Sequence, residues 1–223
     1  METKTKARRR ETLGIIAPLV LIFWCSTLLA SGRWVPFVAQ RLMQTYQLSG
    51  NSKKLIAEKS EVWLRNSQGS IYLRGTPIVG VTPSAAWETA SLFDAASGTT
   101  YLIDYKNQTV TAQRKGKPVA PPTAASFHSH MPQSRFIGRK TIDGIECEGW
   151  RMVWSGGSPP PNSGQPAGEI WVAPSLNFAE LDGVILDHLI GEEIDVHVVS
   201  ISPGQEPDTG LFQLPPAGFS LIQ

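Results

Sequence analysis

The chain has 223 residues, 41% of them apolar, which suffices for one ordinary domain with a hydrophobic core beside a short anchor. Residues 1–12 carry a net charge of +3, whereas the remaining residues carry 15 Lys/Arg against 17 Asp/Glu, a net charge of −2. The domain therefore lacks the basic surface that nucleic acid requires, and we expect no nucleic-acid partner.

An uncharged apolar run extends from Leu13 to Ala30, and its 18 residues would form a helix of about 27 Å, close to the hydrocarbon thickness of a bilayer. Basic residues precede the run and only Arg33 follows it closely, which predicts a cytoplasmic N-terminus and an exported domain. A cleaved signal peptide is the alternative, since Ala30-Ser31-Gly32 is a small-residue cleavage site. Either way we expect an extracytoplasmic domain; with the anchor retained, we expect it to be held in the inner membrane by a single pass, with the bulk facing the periplasm or exterior.

This pattern divides the chain into four parts. We expect a basic cytoplasmic N-terminus over 1–12, a transmembrane anchor or signal segment over 13–31, a juxtamembrane helical segment over 32–58 and a β-rich domain over 59–223. The helix is predicted from Trp34 to Tyr46, because Pro36 suits a first helical turn and Val38, Leu42 and Tyr46 recur every fourth residue.

The next segment alternates with the two-residue period of a strand. The two runs 61–66 and 70–74 predict a hairpin about Ser67-Gln68-Gly69. In a register where paired numbers sum to 135, Val62 faces Leu73 and Leu64 faces Ile71, while Glu61 faces Arg74 on the other side. The four aliphatic residues would then form one apolar face, and they are the predicted ligand-binding residues.

Further strands follow with clear turn signals. A three-stranded meander is predicted over 88–94, 99–105 and 109–114, then a Pro/Ala/Ser-rich linker over 115–134. Asp143-Gly144 between the runs 136–142 and 145–154 is the strongest short hairpin signal in the chain. A flexible segment over 155–168 precedes strands at 169–173, 184–190 and 194–201. Asp208 is predicted to cap a turn that places Phe212 in the core.

Several of these segments together resemble a known family. The runs FDAASGTTYLIDYKNQTVTAQ, IGRKTIDGIECEG, GEIWVAP and PDTGLFQLPPAGF resemble, in order and spacing, a family of uncharacterised bacterial envelope proteins that are similar to the outer-membrane lipoprotein carrier. The resemblance implies a mainly β (α+β) fold: a curved antiparallel sheet, or incomplete barrel, over one or two helices, here preceded by a single transmembrane helix. An uncleaved anchor departs from the carrier, because it would prevent free shuttling between membranes.

Two histidines and a methionine form the candidate metal site. In an extended segment His128 and His130 point the same way, and Met131 adds a soft ligand that suits copper. A solvated loop is the default, so we expect no metal and no cofactor.

Catalytic patterns are weaker. Asp187-His188 and His197 lack a Gly-x-Ser-x-Gly nucleophile motif. Asp104, Asp143, Glu146 and Glu148 are carboxylates of the kind that glycosidases pair, but strand-edge carboxylates are commonly solvated. Cys147 on a predicted strand is expected to be a buried structural residue rather than a nucleophile. The sequence therefore predicts no enzyme.

The aromatic content leads to the functional hypothesis. Trp63, Trp150, Trp154 and Trp171 lie on predicted strands, where they either pack in the core or line an apolar groove. We expect a non-enzymatic, membrane-tethered binding or sensing module for a lipid, an acyl chain or an apolar segment, with lipid, lipoprotein or envelope proteins as partners. The alternatives are an interaction subunit of an envelope complex without a ligand pocket, and an envelope hydrolase.

Overall fold

Twelve strands form a single sheet in the computed structural model, which describes residues 32–50, 52–79, 89–130, 134–153, 166–187 and 191–222. The first six strands are β1 (Phe37–Ser49), β2 (Ser52–Arg65), β3 (Ile71–Val79), β4 (Thr89–Asp94), β5 (Thr99–Asp104) and β6 (Thr109–Arg114). The others are β7 (Arg135–Ile142), β8 (Ile145–Val153), β9 (Pro166–Ala173), β10 (Ala179–Asp187), β11 (Glu192–Pro203) and β12 (Ser220–Ile222). The predicted meander, the Asp-Gly hairpin and the three later strands are confirmed.

The described residues contain little helix. Among them, one α-helix, α1 (Ala124–Ser129), begins with a capping box at Thr123, and two 3₁₀ helices span Pro174–Leu176 and Thr209–Phe212. Asp208 caps the second of these by accepting a hydrogen bond of 2.9 Å from the Gly210 N–H, as the sequence predicted. The apolar run Leu13–Ala30 lies outside the described residues, and among those described no helix is both long enough and apolar enough to span a membrane.

The strand order is β12-β6-β5-β4-β3-β2-β1-β11-β10-β9-β8-β7. Two antiparallel meanders, β1 to β6 and β7 to β11, thus meet where β1 pairs with β11. At the far edge β12 adds to β6 in parallel. The described unit, Arg33–Gln223, is one compact body built on this sheet.

The helix predicted between Trp34 and Tyr46 is wrong, because these residues form β1, and the sheet therefore begins at Phe37 rather than at residue 59. A spacing of four also fits the two-residue period of a strand, so Val38, Leu42 and Tyr46 share one face of β1. Phe37 and Ala39 are fully buried on the other face. Hydrogen bonding to β2 and β11 on both sides, which the local pattern does not reveal, decides in favour of the strand.

The predicted register of the β2–β3 hairpin is wrong by one residue. Trp63 faces Leu73 and Leu64 faces Tyr72, because Asn66 donates to the Ser70 carbonyl and three residues lie between these two. A two-residue connection would have given the predicted pairing. Since a shift of one residue moves a strand's side chains to the opposite face, the four aliphatic residues do not share a face.

The sheet is open and curved. Adjacent strands lie about 4.8 Å apart, so β7 and β10 would be about 14 Å apart in a flat sheet. Lys140 on β7 nevertheless forms an ion pair with Asp182 on β10. The Asp143 side chain in the β7–β8 turn likewise reaches the backbone of Ile201 on β11, at 3.1 Å.

Two hydrophobic clusters hold the sheet. The first joins Phe37 and Trp63, whose ring centroids are 4.6 Å apart, to Cys147, Leu176 and Leu181 from the other meander. The second covers one face of β2 to β6 and is closed by the C-terminal segment after β11; we call this face the tail face. Its members include Leu64, Tyr72, Leu92, Ile103 and Val110, against which Leu211, Phe212, Leu214 and Phe219 pack.

Candidate functional site

A groove lies on the face of β2 to β5 opposite the tail face, and we call it the groove face. Its volume is about 290 Å³, near the lower end of the range for small-molecule sites. The lining residues are Lys59, Glu61, Leu73, Gly75, Thr89, Ala90, Ser91 and Leu102. Leu73 and Leu102 supply apolar wall, whereas Lys59 and Glu61 make one end charged.

The groove opens where two strands part. The ladder between β3 and β4 joins Ile71, Tyr72 and Leu73 to Phe93, Leu92 and Ser91, and the groove-lining Gly75 lies beyond these pairs. Gly75 carries no side chain to fill the space that results. A Cβ at Gly75 would lie 3.4 Å from the Lys59 Cδ and 3.7 Å from the Glu61 Cγ, in ordinary contact.

A buried ion-pair cluster forms the charged end. The Glu61 side chain is only 2% exposed; it accepts a hydrogen bond from the Arg41 Nε at 2.5 Å and forms an ion pair with the Lys59 Nζ at 2.7 Å. The Arg41 guanidinium also lies 5.2 Å from the centre of the Trp63 ring. A buried carboxylate requires such partners, and two cations here serve one anion.

Glu180 on β10 is a further carboxylate close to the Arg41 guanidinium. Burial raises the pKa of its carboxyl, the nearby Arg41 guanidinium lowers it and Asp182 raises it. Its Oε1 is buried and has no hydrogen-bond partner in the described part of the chain. An ionised carboxylate in this position is poorly solvated, so the environment favours the protonated form.

A second polar network crosses the curved half of the sheet. Asp182 pairs with Lys140 and also contacts the His197 Nδ1 through its Oδ1 at 2.5 Å. The Lys140 ammonium lies 4.2 Å from the centre of the Trp171 ring. This Asp–His pair resembles the orienting half of a hydrolytic triad, but no serine or cysteine contact to His197 accompanies it among the described residues.

The predicted ligand-binding residues are divided between the two faces. Leu73 lines the groove and Ile71 lies on the same face, packed against the first cluster. Leu64 is buried on the tail face, and Val62 is 40% exposed there. Glu61 contacts Arg41 and Lys59 instead of Arg74, whose guanidinium lies 4.4 Å from the centre of the Tyr105 ring.

The candidate metal ligands are not arranged as predicted. His128 belongs to α1 and His130 caps it, so successive positions turn about 100° and the two side chains diverge. The His128 ring lies 4.8 Å from that of Trp150, and the His130 Nδ1 lies 2.6 Å from the Ser126 carbonyl oxygen. Met131 lies outside the described residues, which contain no group of three potential metal-ligating side chains.

Cys147 is fully buried, and burial raises the pKa of its thiol, with Lys140 opposing this effect. Both properties disfavour a nucleophilic thiolate and agree with the predicted structural role.

The candidate catalytic carboxylates make structural contacts. Glu148 pairs with Arg139 at 3.1 Å as expected, while Asp143 accepts a hydrogen bond from the backbone of Ile201. Of the predicted pair Asp187-His188, the Asp187 side chain and the whole of His188 lie outside the described part of the structure.

The sequence did not reveal the groove. Its wall combines residues from four strands, and its opening depends on where the β3–β4 ladder ends. An available signal was Gly75 within an alternating strand, since a strand glycine often marks a close approach or a gap.

Comparison with solved structures finds similar folds among bacterial envelope proteins. An uncharacterised conserved protein from Thermus thermophilus has a TM-score of 0.46 and 11% identity, with 82% of this chain and 90% of that chain covered. A LolA-superfamily protein from Nitrosomonas europaea has a TM-score of 0.38 and 11% identity, with 84% and 96% covered. MucB in its complex with MucA from Pseudomonas aeruginosa has a TM-score of 0.41 and 12% identity, and this chain covers 59% of its length.

The predicted resemblance to lipoprotein-carrier-like proteins is thus found again among solved structures. No family model matches the sequence, and no curated protein matches it. With identities of 12% or less and TM-scores below 0.5, these likenesses identify no ligand for this chain.

Proposed function

We propose that this protein is a non-enzymatic binding module of the bacterial envelope, tethered by residues 13–31, that holds an acyl chain or another apolar segment in the groove on its groove face. The observation that carries the proposal is the gap between β3 and β4, with Leu73 and Leu102 as apolar walls. Each methylene that leaves water for such a wall contributes about 0.8 kcal/mol.

The size of the groove limits what it holds. A space of about 290 Å³ suits part of a chain or a single apolar side chain better than a complete lipid. The ligand therefore lies partly outside, in keeping with a tethered receptor that contacts its ligand transiently. Leu102 is 37% exposed, and its burial by the ligand would contribute to affinity.

An interaction subunit without a ligand pocket is the second candidate, and the tail face favours it. There Leu211, Phe212, Leu214 and Phe219 of the same chain already cover the sheet. Because the chain itself covers the tail face, this face has no open pocket for a ligand. A partner would then bind to the outer surface of the domain, and it would be another envelope protein.

A fluorescent acyl probe tests the first candidate on the unit Arg33–Gln223, after circular dichroism has shown that it is folded. Gly75→Leu should abolish binding, because the new side chain enters the groove and the backbone at Gly75 is not in the left-handed region. Thr76→Leu is the matched control, since it places the same leucine side chain at an exposed position on the opposite face of β3. Absence of binding to folded wild-type protein would exclude the acyl-binding function and leave the interaction subunit.

A further inference from the structure

We propose that Lys59 selects the head group of the ligand, so that the groove binds single-chain amphiphiles carrying an anionic carboxylate or phosphate. This inference rests on the proposed function and names the chemistry at the charged end of the same groove. It follows from the arrangement of Arg41, Lys59 and Glu61, in which one cation is fixed and the other faces the groove.

Arg41 is the fixed cation. Its side chain is 15% exposed, its Nε donates to Glu61 at 2.5 Å, and its guanidinium packs near Trp63. Because Arg41 alone balances the charge of the buried Glu61 carboxylate, the charge of Lys59 is in excess within this cluster. Glu61 itself, only 2% exposed, presents no surface to a cationic ligand.

Lys59 is the cation that a ligand can reach. Its side chain is 36% exposed and lines the groove, and its stem passes over Gly75. An ammonium group has three donor hydrogens, and the one ion pair that Lys59 forms among the described residues is with the Glu61 Oε1 at 2.7 Å. A ligand oxygen at the mouth of the groove can therefore accept a charge-assisted hydrogen bond without displacing Glu61.

The other carboxylates nearby are engaged or set back. Asp104 stands two positions beyond Leu102, but its Oδ1 accepts from the backbone N–H groups of Lys106 and Asn107 at 3.0 and 2.9 Å. Glu180 lies beyond Arg41, where burial raises the pKa of its carboxyl. The groove thus offers a positive charge at one end and the apolar walls of Leu73 and Leu102 beside it.

The ligand that matches this pattern has an anionic head and an apolar tail. A lysine ammonium acts as a point charge and does not distinguish the planar carboxylate from the tetrahedral phosphate. A free fatty acid and a single-chain phospholipid therefore present the same chemistry to Lys59.

Photolabelling of the full chain in nanodiscs of zwitterionic lipid tests the inference. The probe is octanoic acid with a diazirine on its chain, and labelled positions are mapped by mass spectrometry. The competitors are octanoate, octyl phosphate and the uncharged octanol. We expect label on the peptides that contain Leu73 and Leu102, and we expect both anions to compete at concentrations about tenfold lower than octanol, the scale of one charge-assisted hydrogen bond.

Three variants separate charge from fold. Lys59→Gln should remove the preference for anions over octanol, Lys59→Arg should keep it, and Lys54→Gln, which removes an exposed charge from the same strand, should leave it unchanged. Competition by octanol at the same concentration as octanoate in the wild type, or a preference that survives Lys59→Gln, would overturn the head-group assignment while the groove still binds chains. Label away from the groove in every protein would instead contradict the proposed function.

Discussion

The Asp143 carboxylate accepts a hydrogen bond of 3.1 Å from the backbone N–H of Ile201, and so joins the β7–β8 turn to the strand at the centre of the sheet. Asp143 and Gly144 both have positive φ, 47° and 77°, as a two-residue hairpin turn of this kind requires. The Asp-Gly pair therefore forms the turn through its backbone and fixes the curvature of the sheet through its side chain.

Gly144→Val should destabilise the domain by about 1–3 kcal/mol, because a β-branched residue is strained at positive φ. No atom lies within 4 Å of a Cβ at this position, so the loss reports backbone strain alone. Urea denaturation of the unit Arg33–Gln223 measures it. Gly75→Ala, where the added Cβ makes ordinary contacts, is the control and should change stability by less; equal losses would contradict the assigned turn.

Gly98→Ala should destabilise the domain more than Gly144→Ala. Gly98 also has positive φ, 67°, but a Cβ there would overlap the backbone carbonyl of Lys117. That backbone is held nearby, since Val119 donates from its N–H to the Ala95 carbonyl at 2.9 Å. Melting temperatures of the two alanine variants provide the comparison, and a smaller loss at Gly98 would show that the segment around Lys117 does not pack against this turn.

Arg65→Lys should destabilise the protein by about 2–4 kcal/mol although it conserves the charge. The buried guanidinium donates from its Nε to the Val35 carbonyl at 2.9 Å and from its Nη2 to the Leu176 carbonyl at 2.7 Å. Burial also lowers its pKa to about 10. A single ammonium cannot reach both carbonyls, which would leave buried acceptors without a donor.

Arg74→Lys is the matched control for Arg65→Lys. Arg74 is exposed on β3, where its guanidinium contacts the Tyr105 ring. Its replacement should cost less than about 1 kcal/mol, the scale of an exposed cation–π contact. Chemical denaturation that finds the same loss for both variants would refute the bridging role assigned to Arg65.

Glu180→Gln should stabilise the protein at neutral pH and have little effect at acidic pH. The folded state raises the Glu180 pKa above its ordinary value of 4.5, so the folded state binds this proton more tightly than the unfolded state does. The associated stability is complete below about pH 4 and is lost as the pH rises through the raised pKa. Glutamine stays neutral throughout and avoids this loss.

Denaturation midpoints of wild type and variant between about pH 4 and pH 8 measure this difference. Glu146→Gln removes one carboxylate whose side chain is 75% exposed, and it provides the baseline for a simple change of net charge. The Glu180→Gln curve should separate from that baseline as the pH rises, and curves that stay parallel over the range would contradict the burial assigned to Glu180.

The sequence predicted those parts of the fold whose signals are local. The Asp143-Gly144 turn needs two residues that tolerate positive φ, and its strands alternate on either side, so a short stretch of chain suffices to predict it. The Asp208 cap is similarly local. The β2–β3 register depended on whether the turn contains two residues or three, and here Gly69 at φ 88° provides the third.

The parts that failed depend on distant residues. Val38, Leu42 and Tyr46 fit a helix as well as a strand, and only the pairing of β1 with β2 and β11 decides between them. The predicted common face of Val62, Leu64, Ile71 and Leu73 is wrong for the same reason, and Leu73 instead lines the groove with Leu102 and Lys59, which come from other strands. Residues that meet across a sheet leave no mark in the local pattern of any one strand.

The pairing of β1 with β11 also determines when the protein can finish folding. Each meander contains contacts between neighbouring strands and can begin to form from its own segment of the chain. The pair of β1 and β11 cannot close until almost the whole described chain is available, because the two strands stand near opposite ends of it. Such non-local pairing makes folding slow. During that interval the edge of β1 that later pairs with β11 stays unpaired, which is the kind of strand edge at which chains aggregate.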